Sequence, residues 1–173
     1  MPDYGSKQIY YGCLFCSIRQ EAEVLKRLDG YEGLSVLSPV RQHYYRKKGS
    51  FEIVEDVVFP GYLFFATQSP DFPVQRLEET TGAFKVLRYD SREWVLQGDD
   101  ALLAERLFKS GGVIGLSRGR FEEGRLHILD GFLKPYEKDI CKVDRRHRAA
   151  MIRTKMDGRV VELWLGYCLD EDA

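Results

Sequence analysis

Short segments with strand or helix periodicity follow one another through the first two thirds of the chain. Alternating apolar positions predict strands at residues 8–15, 34–40, 51–54 and 83–89. Apolar residues three or four positions apart predict helices at residues 18–28, 74–79 and 101–108. This order predicts an α+β domain with one antiparallel-leaning sheet and helices packed on a face.

Capping residues and glycines set the expected helix ends. Ser17 and Gln20 form a capping-box pattern that starts the first helix. The predicted apolar face of that helix consists of Ile18, Ala22, Leu25 and Leu28. Asp99 or Asp100 can cap the third helix, which the glycines at 111–112 would end.

The chain is organised around residues 59–65, Phe-Pro-Gly-Tyr-Leu-Phe-Phe. Proline followed by glycine predicts a sharp turn, and the aromatic run after it predicts a core strand. Because alternate side chains of a strand face opposite sides, Tyr62 and Phe64 should share one face, opposite Leu63 and Phe65. The face with Tyr62 and Phe64 is either a second core face or an interface.

The sequence changes character near residue 111. Glycine is frequent in residues 111–124, and helical periodicity stops. Short strand patterns follow at residues 125–129, 140–143, 150–153 and 160–165, with hairpin-type Asp-Gly pairs at 130–131 and 157–158. These strands predict a small β-barrel. We therefore expect a first domain at 1–110, a linker at 111–122 and a second domain at 123–173.

Charge has to be examined locally, because the 173-residue chain has a net charge of −1 and is 44% hydrophobic. A predicted hairpin tip contains Arg46, Lys47 and Lys48 beside Tyr44 and Tyr45. Cations next to aromatic rings can neutralise phosphates and stack on bases, although a solvated turn has the same composition. Residues 138–155 hold seven Lys/Arg against two Asp, which fits an exposed strand pair or a binding surface equally.

Catalytic, metal and cofactor signals are absent from the sequence. Cys13 and Cys16 have thioredoxin-like spacing, but Cys13 lies inside a strand pattern, so small buried hydrophobes are the better interpretation. Further Cys/His ligands at zinc spacing are lacking, and the glutamate pair 78–79 is expected to be a solvated face. We expect no enzyme, no metal and no cofactor.

Targeting signals are absent as well. No apolar run approaches the ~20 residues that cross a membrane, and residues 1–5 lack a secretory pattern. Together with four cysteines compatible with reduced thiols, this predicts a cytoplasmic protein without membrane contact.

A known family shares these features in the same order. The matching stretches are Tyr10-Tyr11, residues 21–28, the Phe-Pro-Gly-Tyr-Leu-Phe of 59–64, Thr81-Gly82 before residues 83–87, and the glycine-opened module at 123–132. The chain therefore resembles the NusG family of transcription elongation factors. Residues 140–150 are similar to the corresponding part of specialised NusG paralogs such as LoaP. Departures include Tyr10-Tyr11 in place of Trp-Tyr and Gly131-Phe132-Leu133 in place of Gly-Pro-Leu/Phe.

The resemblance implies an NusG N-terminal (NGN) domain followed by a KOW β-barrel. It implies a non-enzymatic, monomeric transcription elongation or antitermination factor that docks on the β′ clamp helices of bacterial RNA polymerase and increases processivity. The polymerase-binding positions implied are Tyr62, Phe64 and Tyr89. In the family, the KOW domain meets a ribosomal protein or a termination factor. One paralog converts this domain to helices, a change not expected here because of Asp157-Gly158 and the β-branched residues 160–161.

The resemblance also implies nucleic-acid contact at the basic hairpin tip and the first helix, where family members can approach nucleic acid. Specialised paralogs are recruited by a DNA or RNA signal. The implied residues are Arg19, Lys26, Arg46, Lys47 and Lys48. The alternative is a KOW-type RNA-binding protein that acts in translation or ribosome assembly and binds RNA mainly through residues 138–155.

Overall fold

A computed structural model describes residues 7–82, 84–89 and 93–172. The predicted absence of a secretory pattern concerns residues 1–5, which lie outside the described residues, as does Ala83 of the predicted 83–89 strand. The described part of that segment is strand only at Phe84–Val86, so the predicted strand is too long at its end.

Three α-helices and twelve strands make up the described chain. The helices are α1 (Glu21–Leu28), α2 (Val74–Thr81) and α3 (Gly98–Lys109). The strands of the first part are β1 (Tyr10–Cys16), β2 (Leu34–Leu37), β3 (Val40–Lys47), β4 (Ser50–Val57), β5 (Tyr62–Thr67) and β6 (Phe84–Val86). The strands of the second part are β7 (Val113–Ile114), β8 (Ser117–Glu122), β9 (Arg125–Asp130), β10 (Ile140–Asp144), β11 (Ala149–Met156) and β12 (Arg159–Leu169). Short 3-10 helices lie at Lys134–Asp139 and Asp170–Asp172.

The chain packs as two units, and each unit contains two separate segments of the sequence. The first unit contains residues up to 39 together with 59–112, and the second contains 40–58 together with 113 onward. The residues predicted as a linker, 111–122, hold β7 and β8. The β3–β4 hairpin, predicted in the first domain, belongs to the second unit.

The first unit is built on an antiparallel sheet in the order β2-β5-β1-β6. One face of this sheet carries Leu14, Leu63 and Phe65, which pack with apolar residues of α1 and α2. The opposite face carries Tyr11, whose ring lies 5.4 Å from that of Phe108 on α3. The predicted α+β class and the antiparallel sheet are confirmed, but helices cover both faces of the sheet.

The second unit contains a five-stranded sheet in the order β10-β11-β12-β8-β9 and a three-stranded sheet in the order β4-β3-β7. Its buried side chains include Ile128, Leu133, Met151, Leu165 and Tyr167. The five-stranded sheet agrees with the predicted β content of this region, whereas its closure into a barrel stays a prediction.

The starts of two helices differ from their predictions. Helix α1 begins at Glu21 rather than after Ser17, because Arg19 adopts a left-handed φ of 73° and the Gln20 amide donates to the Ser17 carbonyl in a turn (3.0 Å). Its buried residues are Glu21, Val24 and Leu28, so the predicted face is wrong at Ile18 and Ala22. Gln97 precedes α3, and Asp99 and Asp100 lie in its first turn without capping it.

Two of the predicted hairpin turns are confirmed and one is wrong. Lys48-Gly49 joins β3 to β4, and Asp157-Gly158 joins β11 to β12, with positive φ at all four residues. Positive φ at both central residues is the geometry of a two-residue hairpin loop that matches strand twist. Asp130-Gly131 is not a hairpin turn, because β9 pairs with β8 and a 3-10 helix follows the glycine.

In the described ranges, none of the helices is long and apolar enough to span a bilayer.

Candidate docking surface and basic hairpin

The Pro60-Gly61 turn has the geometry that its sequence predicts. The Tyr62 amide donates to the Phe59 carbonyl at 2.9 Å, and Gly61 has a φ of 84°. A type II turn requires positive φ at its third position, which favours glycine, and often has proline at its second. The turn therefore delivers Tyr62 to the start of β5.

A buried carboxylate fixes this turn against the end of β1. The Gly61 amide donates to Glu21 Oε1 at 2.6 Å, and Glu21 is buried. The Cys16 amide donates to the Gly61 carbonyl at 2.8 Å. A Cβ at Gly61 would lie 2.9 Å from the Cys16 carbonyl oxygen, so only glycine fits without displacement. Sequence reasoning missed Glu21, because an acidic residue at a helix start is ordinarily explained by the helix dipole.

The turn and the end of β1 present an apolar surface, which we call the aromatic patch: Phe15, Ile18 and Tyr62. The rings of Phe15 and Tyr62 lie 6.2 Å apart, and the two residues are direct partners in the β1–β5 ladder. Phe15 is 39% exposed and Ile18 is 67% exposed, while Tyr62 is half-buried. Neither Phe15 nor Ile18 was singled out from the sequence as a site residue, since both lie in segments predicted to be structural.

Two other predicted docking residues have different environments. Phe64 shares a sheet face with Tyr62, as expected, but it is only 1% exposed and its ring packs 5.8 Å from that of Phe59. That face is therefore core at Phe64 and open only at its Tyr62 end. Tyr89 is half-buried, and its hydroxyl donates to Asp100 in the first turn of α3 at 2.9 Å.

The predicted nucleic-acid-binding cations fall in both units. Arg19 and Lys26 are exposed in the first unit, before α1 and in its last turn. Arg46, Lys47 and Lys48 are exposed at the tip of the β3–β4 hairpin, in the second unit. The geometry of the tip thus agrees with the predicted basic hairpin, and its function stays a prediction.

The Cys13–Cys16 pair lacks the environment of a redox site. Cys13 is buried inside β1, and neither Cys13 nor Cys16 forms a disulfide. Burial, and next the negative charge of Glu21, raise the pKa of the Cys16 thiol. The first cysteine of a redox pair is activated at a helix N-terminus, whereas Cys13 lies inside β1. No group of three or more His, Cys, Asp or Glu in the described ranges could hold a metal ion.

Glu78 is not part of a solvated face, which corrects the expectation for the 78–79 pair. Its carboxylate accepts two hydrogen bonds from the Arg88 guanidinium, at 2.9 and 2.7 Å, and one from the Val86 amide at 2.6 Å. The hydrogen bonds from Arg88 are the largest influence lowering the pKa of Glu78. This contact joins α2 to β6 and the segment after it.

Comparison with known proteins gives one family. A family model described as "Transcription termination factor nusG" matches residues 10–101, more than half of the chain. No curated protein matches. The family match favours a role in transcription without catalysis, and it gives no support to the translation alternative.

Proposed function

Because the chain belongs to the NusG family of transcription factors, whose members bind RNA polymerase, we propose that it is an elongation factor that docks on the β′ clamp helices. The observation that carries this proposal is the aromatic patch at the fixed Pro60-Gly61 turn. The turn lies inside the matched residues, and its Phe-Pro-Gly-Tyr-Leu-Phe sequence is the most specific part of the resemblance.

The aromatic patch has the chemistry of a protein-binding anchor. Tyr62 and Phe15 are partly exposed, large and held side by side, and Ile18 extends the apolar area next to Gly61. Aromatic anchors buried at an interface often cost ~2 kcal/mol or more when truncated. Because Gly61 is fixed by Glu21 and Cys16, little ordering of this turn is needed on binding, which favours affinity.

The other two predicted anchors take different roles in this proposal. Phe64 is buried, so it supports the patch from the core rather than contacting the polymerase. Tyr89 keeps a partly exposed side chain whose hydroxyl is oriented by Asp100, and it is a second contact.

Docking on the clamp helices would change the relative populations of the open and closed states of the polymerase clamp. A factor that binds the closed clamp better than the open one shifts the equilibrium toward the closed state. A closed clamp disfavours pausing and termination, so the factor would raise processivity and act in antitermination. The chain itself makes and breaks no bond in this mechanism.

The second unit is proposed to supply KOW-type contacts, as in a specialised, LoaP-like paralog. Its five-stranded sheet follows the matched region, as the resemblance predicts. Its partner would be a ribosomal protein or a termination factor. Recruitment would use a DNA or RNA signal recognised by the exposed cations, among them Arg46, Lys47 and Lys48.

The proposal is tested by single-round transcription in vitro with bacterial RNA polymerase on a template that contains pause sites. The wild-type protein should shorten pausing and increase full-length RNA, and Tyr62→Ala should lose most of this effect at the same concentration. Leu102→Ala is the matched control, since Leu102 is a 49% exposed apolar residue of the same unit outside the patch. An unchanged pause pattern with the wild-type protein would contradict the proposal.

A further inference from the structure

In the second unit, the β3–β4 hairpin that carries the basic tip is in side-chain contact with a second, arginine-rich turn. The turn between β10 and β11 consists of Arg145, Arg146, His147 and Arg148. The Arg148 guanidinium lies 5.5 Å from the centre of the Tyr44 ring on β3. Tyr44 and Arg46 are two residues apart on the same strand, which corresponds to about 6.6 Å along it. Tyr44 therefore lies close to the hairpin tip. The two basic segments are therefore neighbours within this unit.

We propose that these two segments form one binding surface for single-stranded nucleic acid, which we call the basic surface: Arg46, Lys47, Lys48, Arg145, Arg146 and Arg148. The proposal rests on the proposed function only in taking the hairpin tip as a nucleic-acid contact. It adds the β10–β11 turn as the other half of the site and gives the class of ligand.

Hydrogen bonds and a ring contact hold the β10–β11 turn in its conformation. Asp144 accepts hydrogen bonds from the His147 amide (3.0 Å) and from His147 Nδ1 (2.7 Å). The Arg145 guanidinium lies 4.2 Å from the centre of the Phe121 ring and donates to the Gly124 carbonyl at 2.7 Å. A guanidinium has five N–H donors in its plane, so a ring stacked on its face leaves edge donors for phosphate oxygens.

Two carboxylates near these cations have partners, one of which is Lys47 itself. Asp144 binds His147, and Glu52 lies 3.8 Å from Lys47. Arg46, Lys48 and Arg146 are exposed cations that carry the excess positive charge. Such a charge distribution attracts a polyanion and gives binding that weakens with salt.

Exposed aromatic rings near the cations favour single-stranded over double-stranded nucleic acid as the ligand. Tyr45 is 54% exposed and Phe51 is 51% exposed. Phe51 is the ladder partner of Arg46, so its ring lies on the hairpin face that carries Arg46 and Tyr44, whereas Tyr45 lies on the opposite face. Unpaired bases can stack on such rings, with about 1–3 kcal/mol lost per base when a ring is removed, whereas a duplex hides its base faces. The ring of Phe51, 6.2 Å from that of Tyr44, therefore gives the basic surface a stacking site for an unpaired base.

The test is fluorescence anisotropy of the full chain with fluorescein-labelled U12, dT12 and a 12-base-pair duplex, at several salt concentrations. Arg145→Gln/Arg146→Gln removes two charges from the turn, and Lys47→Gln/Lys48→Gln removes two from the tip. Arg153→Gln/Lys155→Gln is the control, because it also removes two positive charges but from exposed side chains on β11 outside the basic surface. Circular dichroism verifies that each variant is folded.

We expect the turn and tip variants each to weaken single-strand binding at least tenfold, and the control by less than threefold. Loss of two phosphate contacts should lower the salt slope by about 1.4. The affinities for the RNA oligonucleotide U12 and the DNA oligonucleotide dT12 show which of the two nucleic acids the surface prefers. Equal losses in the control and turn variants, an unaffected turn variant, a preference for the duplex, or no binding by the wild type would each overturn the proposal.

Polymerase is absent from this experiment, so the outcome is separate from the proposed function. Tyr62→Ala should bind U12 and dT12 as the wild type does, because Tyr62 lies in the other unit. Loss of polymerase docking with nucleic-acid binding intact would reject the proposed function alone, and the reverse result would reject the basic surface alone.

Discussion

At the scale of single residues, one buried carboxylate determines the geometry of the aromatic patch. Glu21 accepts the Gly61 amide at 2.6 Å, in a position where water has little access. A buried charged acceptor is tolerated because it is hydrogen-bonded, and a buried amide without an acceptor would be costly. The Glu21–Gly61 contact thus couples the start of α1 to the turn that presents Tyr62.

Glu21→Ala should lower the free energy of unfolding by about 1–3 kcal/mol, because it leaves the Gly61 amide without its acceptor. Urea denaturation followed by circular dichroism measures the change. Glu23→Ala is the control: Glu23 forms an exposed pair with Arg27 at 3.2 Å, and such pairs contribute at most about 1 kcal/mol. Equal effects of the two substitutions would show that the Glu21–Gly61 bond has no special role.

Gly61→Ala should destabilise the protein more than Gly30→Ala. Both glycines have positive φ, which costs an alanine about 1–2 kcal/mol. At Gly61 the added Cβ would also meet the Cys16 carbonyl at 2.9 Å, whereas at Gly30 it has no neighbour within 4 Å. Thermal unfolding of the two variants gives the difference directly. Identical midpoints would mean that the turn moves away from Cys16 at no cost.

Residue-level prediction from the sequence succeeded where local chemistry decides the conformation. Pro60-Gly61 gave the turn, and strand alternation placed Tyr62 and Phe64 on one face. Burial of Phe64 and exposure of Phe15 depend on what packs over that face, which local patterns do not encode. The functional roles of Tyr62, Phe64 and Tyr89 stay predictions.

At the scale of elements, Glu78 joins α2 to β6 and to Arg88 in the segment after it. The guanidinium donates to both carboxylate oxygens of Glu78, and Glu78 also accepts the Val86 amide. Both side chains are mostly buried, with 21% and 28% of their surfaces exposed. Loss of the negative charge of Glu78 therefore weakens all of these hydrogen bonds at once and lowers the stability of the fold.

Stability should fall with acid partly through Glu78. Its pKa in the folded protein is lowered, so its contribution is present above the unfolded-state pKa and is lost as the pH falls through the folded-state pKa. We expect Glu78→Gln to be less stable than wild type at neutral pH, with the difference shrinking between about pH 5 and pH 3. Urea denaturation across this range measures it, and Arg88→Gln should behave alike. A pH-independent difference would contradict the electrostatic origin.

Elements with a strong local signal were predicted well, and others were missed for a physical reason. The Lys48-Gly49 and Asp157-Gly158 turns adopt positive φ, which few residue pairs accept readily. Strand β8 was missed, because Ser117–Glu122 is rich in polar residues and pairs through its backbone with β9 and β12. Asp130-Gly131 resembles a hairpin turn locally, but the long-range pairing of β9 with β8 decides its structure.

At the scale of the whole molecule, the second unit is assembled from two distant segments. Strand β3 pairs in parallel with β7, and the Arg41 guanidinium donates to the Trp164 carbonyl on β12. Gly166 lies so close to the Gln42 carbonyl that a Cβ there would be 2.7 Å away. Sequence patterns predict segments in linear order, so they assigned the hairpin to the first domain. Contacts between residues far apart in sequence, such as Arg41 and Trp164, are what group it with the second unit.

The most direct measurement for polymerase docking is the affinity of the full chain for bacterial core RNA polymerase, by biolayer interferometry with immobilised polymerase. The wild type should bind, and a β′ clamp-helix fragment should compete. Tyr62→Ala and Phe15→Ala should each weaken binding by about 2 kcal/mol, roughly thirtyfold, while Leu102→Ala stays within threefold of wild type. Folded patch variants that bind as tightly as wild type, or a wild type that does not bind, would contradict docking through the aromatic patch.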